Sequence, residues 1–260
     1  MVIMKNRFPP ILFSKYAIML MLLNSPSNGA VVAHWSFDSD YTDSTGAHNG
    51  SLVDSGVANS GIDTSDKKFG AGSLTISSDQ SDYVDIANAA TLLHDSDGYS
   101  MAFWAKKAVH NNDAMVLGNR TDADNFVWLQ RNGQLYFRGE TQTTSKYSLA
   151  SDTSWHHIVI VDDGSASNNI SVYVDSAATG LVQGTGMDVD GFSINAIGDG
   201  WYESGRWAFN GNIDEVWLFD HAVNQQEVTS LFSANAIPEP SSSVLLACAL
   251  SLSLAYRKRA

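Results

Sequence analysis

The 260-residue chain has a single cysteine, Cys248, which excludes a fold stapled by disulfides. A domain of about 200 residues buries enough core to do without them. Basic residues are scarce too, with 15 Lys and Arg against 28 Asp and Glu and a net charge of −13. Six of those bases lie at the ends: Lys5, Arg7 and Lys15, then Arg257, Lys258 and Arg259. Leaving out these ends and Glu239, residues 31–234 hold nine bases and 27 acids, a net charge of −18. No basic patch is present, which excludes nucleic acid as a partner, because phosphate neutralisation needs Lys and Arg. The acidity keeps such a chain soluble outside the cell, and it is compatible with calcium, which takes oxygen ligands. No apolar run reaches the ~20 residues of a full membrane span. No internal repeat of about 20–50 residues is present.

The two ends read as targeting segments. Lys5, Arg7 and Lys15 precede the apolar run from Tyr16 to Leu23, and small and polar residues follow from Asn24 to Ala30. This order predicts a secretory signal peptide over residues 1–30, cleaved after Ala30, with Gly29 and Ala33 as alternatives. At the other end Pro238-Glu239-Pro240 precedes an apolar stretch from Ser241 to Tyr256 and the triplet Arg257-Lys258-Arg259. That reads as a short transmembrane helix with its basic end inside. Pro-Glu-Pro, apolar helix and basic cluster, in that order, resemble the bacterial PEP-CTERM sorting signal. The resemblance implies removal of residues 235–260 by an exosortase-type protease and travel with an exopolysaccharide matrix. Cys248 follows Leu245-Leu246-Ala247, a chance likeness to a lipoprotein box.

Between the ends, apolar and polar residues alternate in short runs. Val32 to Phe37, Ser73 to Ile76, Tyr83 to Ile86, Tyr99 to Ala105 and Ala114 to Leu117 read as strands. So do Phe126 to Gln130, Leu135 to Gly139, His156 to Val161, Ile170 to Val174, Phe192 to Ile197 and Ile213 to Phe219. Asn132-Gly133 between two of them is a hairpin signal. Short strands at such spacing predict an all-β antiparallel sandwich. Asn224, with Glu227 three residues on, predicts a capped helix ahead of Val228 and Leu231.

Specific runs go further than periodicity. "VVAHWSFDSDYTDSTGAHNGSL", "KKFGAGSLTI", "YVDI", "YSMAFWAK", "SWHHIVIVDD" with "ISVYVDS", and "FNGNIDEVWLFDHAVNQQEVTSLF" occur in this order. They resemble the LamG-like jelly-roll family, the concanavalin-like sandwich of laminin G modules, pentraxins and many lectins. The resemblance spans nearly all of residues 31–234 and implies a jelly roll. It leaves function open, since one fold hosts many activities.

Several constellations bear on that function. In sandwiches of the resembling kind the first loop meets the closing strand, which implies a calcium site from Asp38, Asp214 and carbonyls near Asn49 or Gly50. The plain alternative is that these residues form Asx turns. His156 and His157 adjoin on a strand, so they face opposite sides and cannot chelate one metal. A glycosidase needs two carboxylates about 5–10 Å apart. The Glu-x-Asp-x-Glu run of resembling laminarinase-type enzymes is missing, Glu140 has no second acid on its strand, and Asp214 and Glu215 must diverge. Neither a nucleophile elbow nor a phosphate loop is present. Trp201, Tyr202, Glu203 and Arg206 lie between two strands, where flat aromatic faces beside polar groups suit sugar rings. The alternative is that these aromatics cover the sandwich edge. Trp35, Trp104, Trp155 and Trp217 are expected in the core. These features point to an exported non-catalytic module at the bacterial surface that binds glycan or extracellular matrix. The rivals are a structural envelope or biofilm component without a discrete ligand and an atypical glycoside hydrolase.

Overall fold

The computed structural model describes residues 29–236, apart from 56, 58, 78–81, 111–112, 123, 140–143, 166–169, 184–190 and 201–206. Side chains at 144–145 and 181–183 are likewise not described. The segments expected to be signal peptide and sorting tail lie outside the described residues, apart from Gly29, Ala30, Asn235 and Ala236. Among those described, no helix is long and apolar enough to cross a membrane.

In chain order the strands are β1 (Val31–Trp35), β2 (Gly50–Val53), β3 (Gly61–Asp63), β4 (Ser73–Ile76), β5 (Tyr83–Leu92), β6 (Tyr99–Lys107), β7 (Ala114–Gly118) and β8 (Phe126–Gln130). They continue as β9 (Gln134–Arg138), β10 (Thr144–Ser148), β11 (His156–Asp162), β12 (Ile170–Val174), β13 (Ala177–Ala178), β14 (Leu181–Gln183), β15 (Phe192–Ile197) and β16 (Gly211–Phe219). The helix α1 spans Gln225–Ala234. Sheet 1 runs β13-β12-β11-β6-β16-β4-β3, with β1 also on β16. Sheet 2 runs β14-β10-β9-β8-β7-β15-β5-β2. Neighbouring strands are antiparallel throughout. The fold is therefore the expected antiparallel β-sandwich.

The alternation written in the strands builds the core. Tyr99, Met101 and Phe103 of β6 and Ile158 and Ile160 of β11 meet Val127, Leu129, Leu135 and Phe137 of β8 and β9 between the sheets, all buried. The β8–β9 turn uses Arg131, Asn132 and Gly133, with Gly133 at φ 75°, a left-handed position that glycine adopts without steric cost.

Sheet 1 is also buried on its outer face. Ala102, Val159 and Phe219 pack there against Val228 and Leu231 of α1. The helix starts as its sequence requires: the Asn224 side chain accepts from the Gln226 and Glu227 N–H groups, and the Glu227 carboxylate accepts from the Asn224 N–H. Trp104 is buried on this face, its ring 5.5 Å from Phe232 and 5.0 Å from His157.

The tryptophans correct one expectation. Trp35 is enclosed between the sheets, and Trp104 is buried but under the helix. Trp155 and Trp217 are only half-buried, Trp217 packing against the margin of the outer-face cluster. The Trp155 indole N–H donates to Asp66 Oδ1 at 3.0 Å, and Trp217 stacks on His34 at 3.5 Å. A polar indole edge with a surface partner keeps each ring at the boundary.

Candidate functional site

The outer face of sheet 2 is of another kind. In β8 Val127 and Leu129 enter the core, so Phe126, Trp128 and Gln130 point away from it. In β9 Leu135 and Phe137 enter, leaving Gln134, Tyr136 and Arg138 outside; in β10 Tyr147 enters and Lys146 is left outside. Strand register then sets a row: Met115 lies opposite Trp128, Trp128 opposite Tyr136, and Tyr136 opposite Lys146. Trp207 joins it because its carbonyl accepts from the Met115 N–H at 2.7 Å, and its ring lies 5.0 Å from that of Trp128. Trp128 and Tyr136 meet edge to face at 5.5 Å, and the Lys146 ammonium sits 5.3 Å from the Tyr136 ring centre. Trp128, Tyr136, Trp207 and Lys146 are all half-buried. The Trp128 indole N–H is buried and has no acceptor among the described residues. Leaving such a donor unmade costs roughly 1–3 kcal/mol, a cost that the buried Trp104 indole bears as well.

Paired polar groups flank the row. Arg138 Nε lies 2.5 Å from Asp124 Oδ1, as a charge contact rather than an aligned hydrogen bond. Arg120 donates from Nε to Asp199 Oδ2 at 3.0 Å, and its guanidinium lies 3.7 Å from the Tyr83 ring centre. Asn195 donates to Asn119 Oδ1 and accepts from the Arg120 N–H. The two ion pairs neutralise the Arg138 and Arg120 guanidinium groups without leaving either free.

The four loop residues expected to bind ligand, Trp201, Tyr202, Glu203 and Arg206, lie outside the described residues. The loop that carries them ends at Trp207, which stands in the aromatic row. Trp128, Tyr136 and Lys146 did not emerge from the sequence as site residues. Their signal was the alternation of Phe126–Gln130 and Gln134–Arg138 across the Asn132-Gly133 turn, which places Phe126 and Trp128 of one strand and Tyr136 of the other on the face opposite the core.

The residues expected to hold calcium divide between two sets of contacts. Asp38 Oδ1 accepts from the Ala71 and Gly72 N–H groups. Asp214 Oδ2 accepts from Lys68 and Phe69 at 2.8 and 3.1 Å. Both carboxylates thus brace the turn over 68–72. Asn49 Oδ1 instead accepts from the Asp43 N–H, and the Gly50 N–H donates to the Tyr41 carbonyl. Burial pushes the Asp214 carboxyl up to about 7, against the two backbone donors and helped by neighbouring Glu215. Its Oδ1 is buried without a hydrogen-bond partner among the described residues. Among those residues no group of three His, Cys, Asp or Glu side chains is placed to hold a metal ion.

Asp214 and Glu215 diverge, as adjacent strand residues must. Glu215 occupies the irregular step of β16, at φ 52°, and its carboxylate reaches His34 Nε2 at 2.6 Å. His156 and His157 also face opposite sides. His156 sits between Asp175 and Asp152, at 2.8 and 3.0 Å. Burial disfavours its charge, but the two carboxylates prevail and raise it above the ordinary histidine range. His157 is buried beside Trp104, and desolvation lowers it to about 4.

Three comparisons place this fold. The model of the Concanavalin A-like lectin/glucanases superfamily (laminin G type) matches residues 78–229. A search of curated proteins finds no match. Among solved structures, domain 4 of AbnA, a GH43 extracellular arabinanase from Geobacillus stearothermophilus in complex with arabinotriose, is similar over 79% of this chain and 100% of its own, with 20% identity and a TM-score of 0.52. The binding domain of Paraclostridial Mosquitocidal Protein 1 is similar over 79% of this chain and 52% of its own, with 16% identity and a TM-score of 0.54. The botulinum neurotoxin serotype D binding domain is similar over 78% and 51%, with 12% identity and a TM-score of 0.54. The chain spans about half the length of these two toxin domains. With its sandwich and more than half of its length matched, the chain belongs to the Concanavalin A-like lectin/glucanases superfamily.

Proposed function

We propose that this is an exported, non-catalytic glycan-binding module of the bacterial surface or its extracellular matrix. One observation carries the reading: Trp207, Trp128 and Tyr136 form a half-buried aromatic row on a sheet face that no described element covers. Pyranose and furanose rings present apolar C–H faces that stack on such rings, while their hydroxyls reach polar neighbours such as Gln130 and Gln134. Trp201, Tyr202, Glu203 and Arg206, expected from the sequence to bind ligand, directly precede Trp207 in the chain. The arabinanase domain of the same fold holds arabinotriose, which supports carbohydrate as the ligand class.

A glycan array on the purified chain tests the reading. Binding to a defined glycan set is expected, weakened about tenfold or more, roughly 1.4 kcal/mol, by Trp128→Ala. An array without any binder would leave a matrix component with no discrete ligand, and release of reducing ends from a bound glycan would make the chain an enzyme. For export, mass spectrometry of the surface fraction should find a chain that starts near Val31 and ends near Pro238, which an intact 241–260 segment would contradict.

Calcium is proposed as a stabiliser bound near Asp214 and Asp38. The buried Asp214 Oδ1 and the net charge of −18 over residues 31–234 support it. Calcium at one hundred times its dissociation constant would add about 2.7 kcal/mol. A melting curve identical in chelator and in millimolar calcium would remove the site.

A further inference from the structure

We infer that the glycan is anionic, with a carboxylate or sulfate group paired to Lys146 while its ring stacks on Tyr136 and Trp128; this rests on the glycan-binding reading above. The inference starts from where the few cations of an acidic chain are placed. Lys106, Arg120, Arg131 and Arg138 each have a carboxylate partner, in Asp66, Asp199, Asp113 and Asp124. Three other lysines have no carboxylate ion pair, but Lys67 and Lys107 donate to the Thr64 and His110 carbonyls and Lys68 lies over the Trp104 ring beside the helix, whereas Lys146 has neither a carboxylate nor a carbonyl partner among the described residues. Its ammonium is held instead over the Tyr136 ring, at the end of the aromatic row.

The register gives the arrangement a scale. Trp128 on β8 and Lys146 on β10 both lie opposite Tyr136 on β9, so two inter-strand spacings, about 10 Å, separate them. A short oligosaccharide covers that distance, with one ring on tryptophan and a charged group of a neighbouring unit at the ammonium. An uncommitted ammonium beside a stacking platform selects an anion through a charge-assisted hydrogen bond. A neutral sugar hydroxyl also accepts from an ammonium, but a charge-assisted bond to an anion is roughly twice as strong. The acidic remainder of the chain opposes the approach of a polyanion. Beyond roughly 8 Å that repulsion is screened at physiological ionic strength, whereas the contact at Lys146 is direct.

The test measures the full chain by calorimetry and affinity electrophoresis against two charged polymers and their neutral counterparts. These are polygalacturonate with its carboxyl-reduced galactan, and carrageenan with its desulfated form. Binding at least about tenfold tighter to one charged polymer than to its counterpart is expected, and identifies carboxylate or sulfate as the group read. Lys146→Ala should erase that preference, Lys146→Arg should keep it, and neither should move the melting temperature. Equal binding of charged and neutral forms, both lost in Trp128→Ala, would overturn the inference and leave the glycan reading standing. A preference that survives Lys146→Ala would overturn it as well. Failure to bind these polymers and every glycan of the array would overturn both.

Discussion

The two sheets bury their inner faces in the same way and diverge on the outer ones. On sheet 1, Ala102, Val159 and Phe219 are capped by Val228 and Leu231 of α1, and Trp104 lies beneath Phe232. On sheet 2, Trp128, Tyr136 and Trp207 have paired charges around them and no helix among the described residues above them. Tryptophan occurs on both faces, so the residue type does not separate stability from recognition. The separation lies in what covers the ring. Under α1 the indole is removed from water and contributes to folding; on sheet 2 it is half-buried and its neighbours are polar.

The contrast gives graded expectations. Trp104→Ala should cost the most, about 3–5 kcal/mol, as a large side chain deleted from a closed apolar layer. Urea unfolding measures it, and a comparable loss for half-buried Trp155→Ala would break the distinction. Next comes acid. His157, on the covered face, is lowered to about 4 by desolvation, whereas in the unfolded chain it titrates near 6.5. Between these values the unfolded state binds the extra proton, so the contribution of His157 is full above pH 6.5 and declines down to pH 4. The loss is about 3 kcal/mol. Asp214, raised to about 7, acts in the opposite direction over the same range. The difference between the wild-type and His157→Phe stability profiles should show the His157 slope between pH 6.5 and 4, and a difference independent of pH would assign the effect to other groups. Asn224→Ala, which removes the N-cap, should cost about 1 kcal/mol and loosen only the cover of sheet 1. Hydrogen exchange would then quicken in α1 and leave β8 and β9 as they were. Trp128→Ala should be the mildest for stability, about 1 kcal/mol or less, while removing glycan binding. A large melting shift in this variant would make the open face a second core.

Much of the sandwich was legible because period-two alternation is a direct image of one face in and one face out. Phe126–Gln130, Ile170–Val174 and Phe192–Ile197 are strands within the bounds that alternation gave. β10 was not legible, since Thr144–Ser148 has one apolar residue, Tyr147, and its pairing with β9 and β14 makes it a strand. β2 and β3, four and three residues long, are held by β5 and β4 rather than by their own pattern. Trp104 sits in β6, where nearly every residue is buried, and the alternation there is erased because α1 closes the second face. The site was legible only in part. A loop rich in aromatics is visible along the chain, whereas the row from Met115 to Lys146 crosses four strands and exists only in their register.

The pairing of the first strand with the last has a kinetic side. Val31 on β1 lies opposite Phe219 on β16, and the Ala30 N–H donates to the Asp220 carboxylate across 190 positions of sequence. A chain that emerges from the ribosome amino end first must hold β1 unpaired until nearly all of the domain has followed. Non-local closure of this kind is slow, because the entropy of the intervening loop is lost before its contacts form. Sheet 1 therefore closes late in synthesis. Until then one edge of β16 waits for β1, the segment made first.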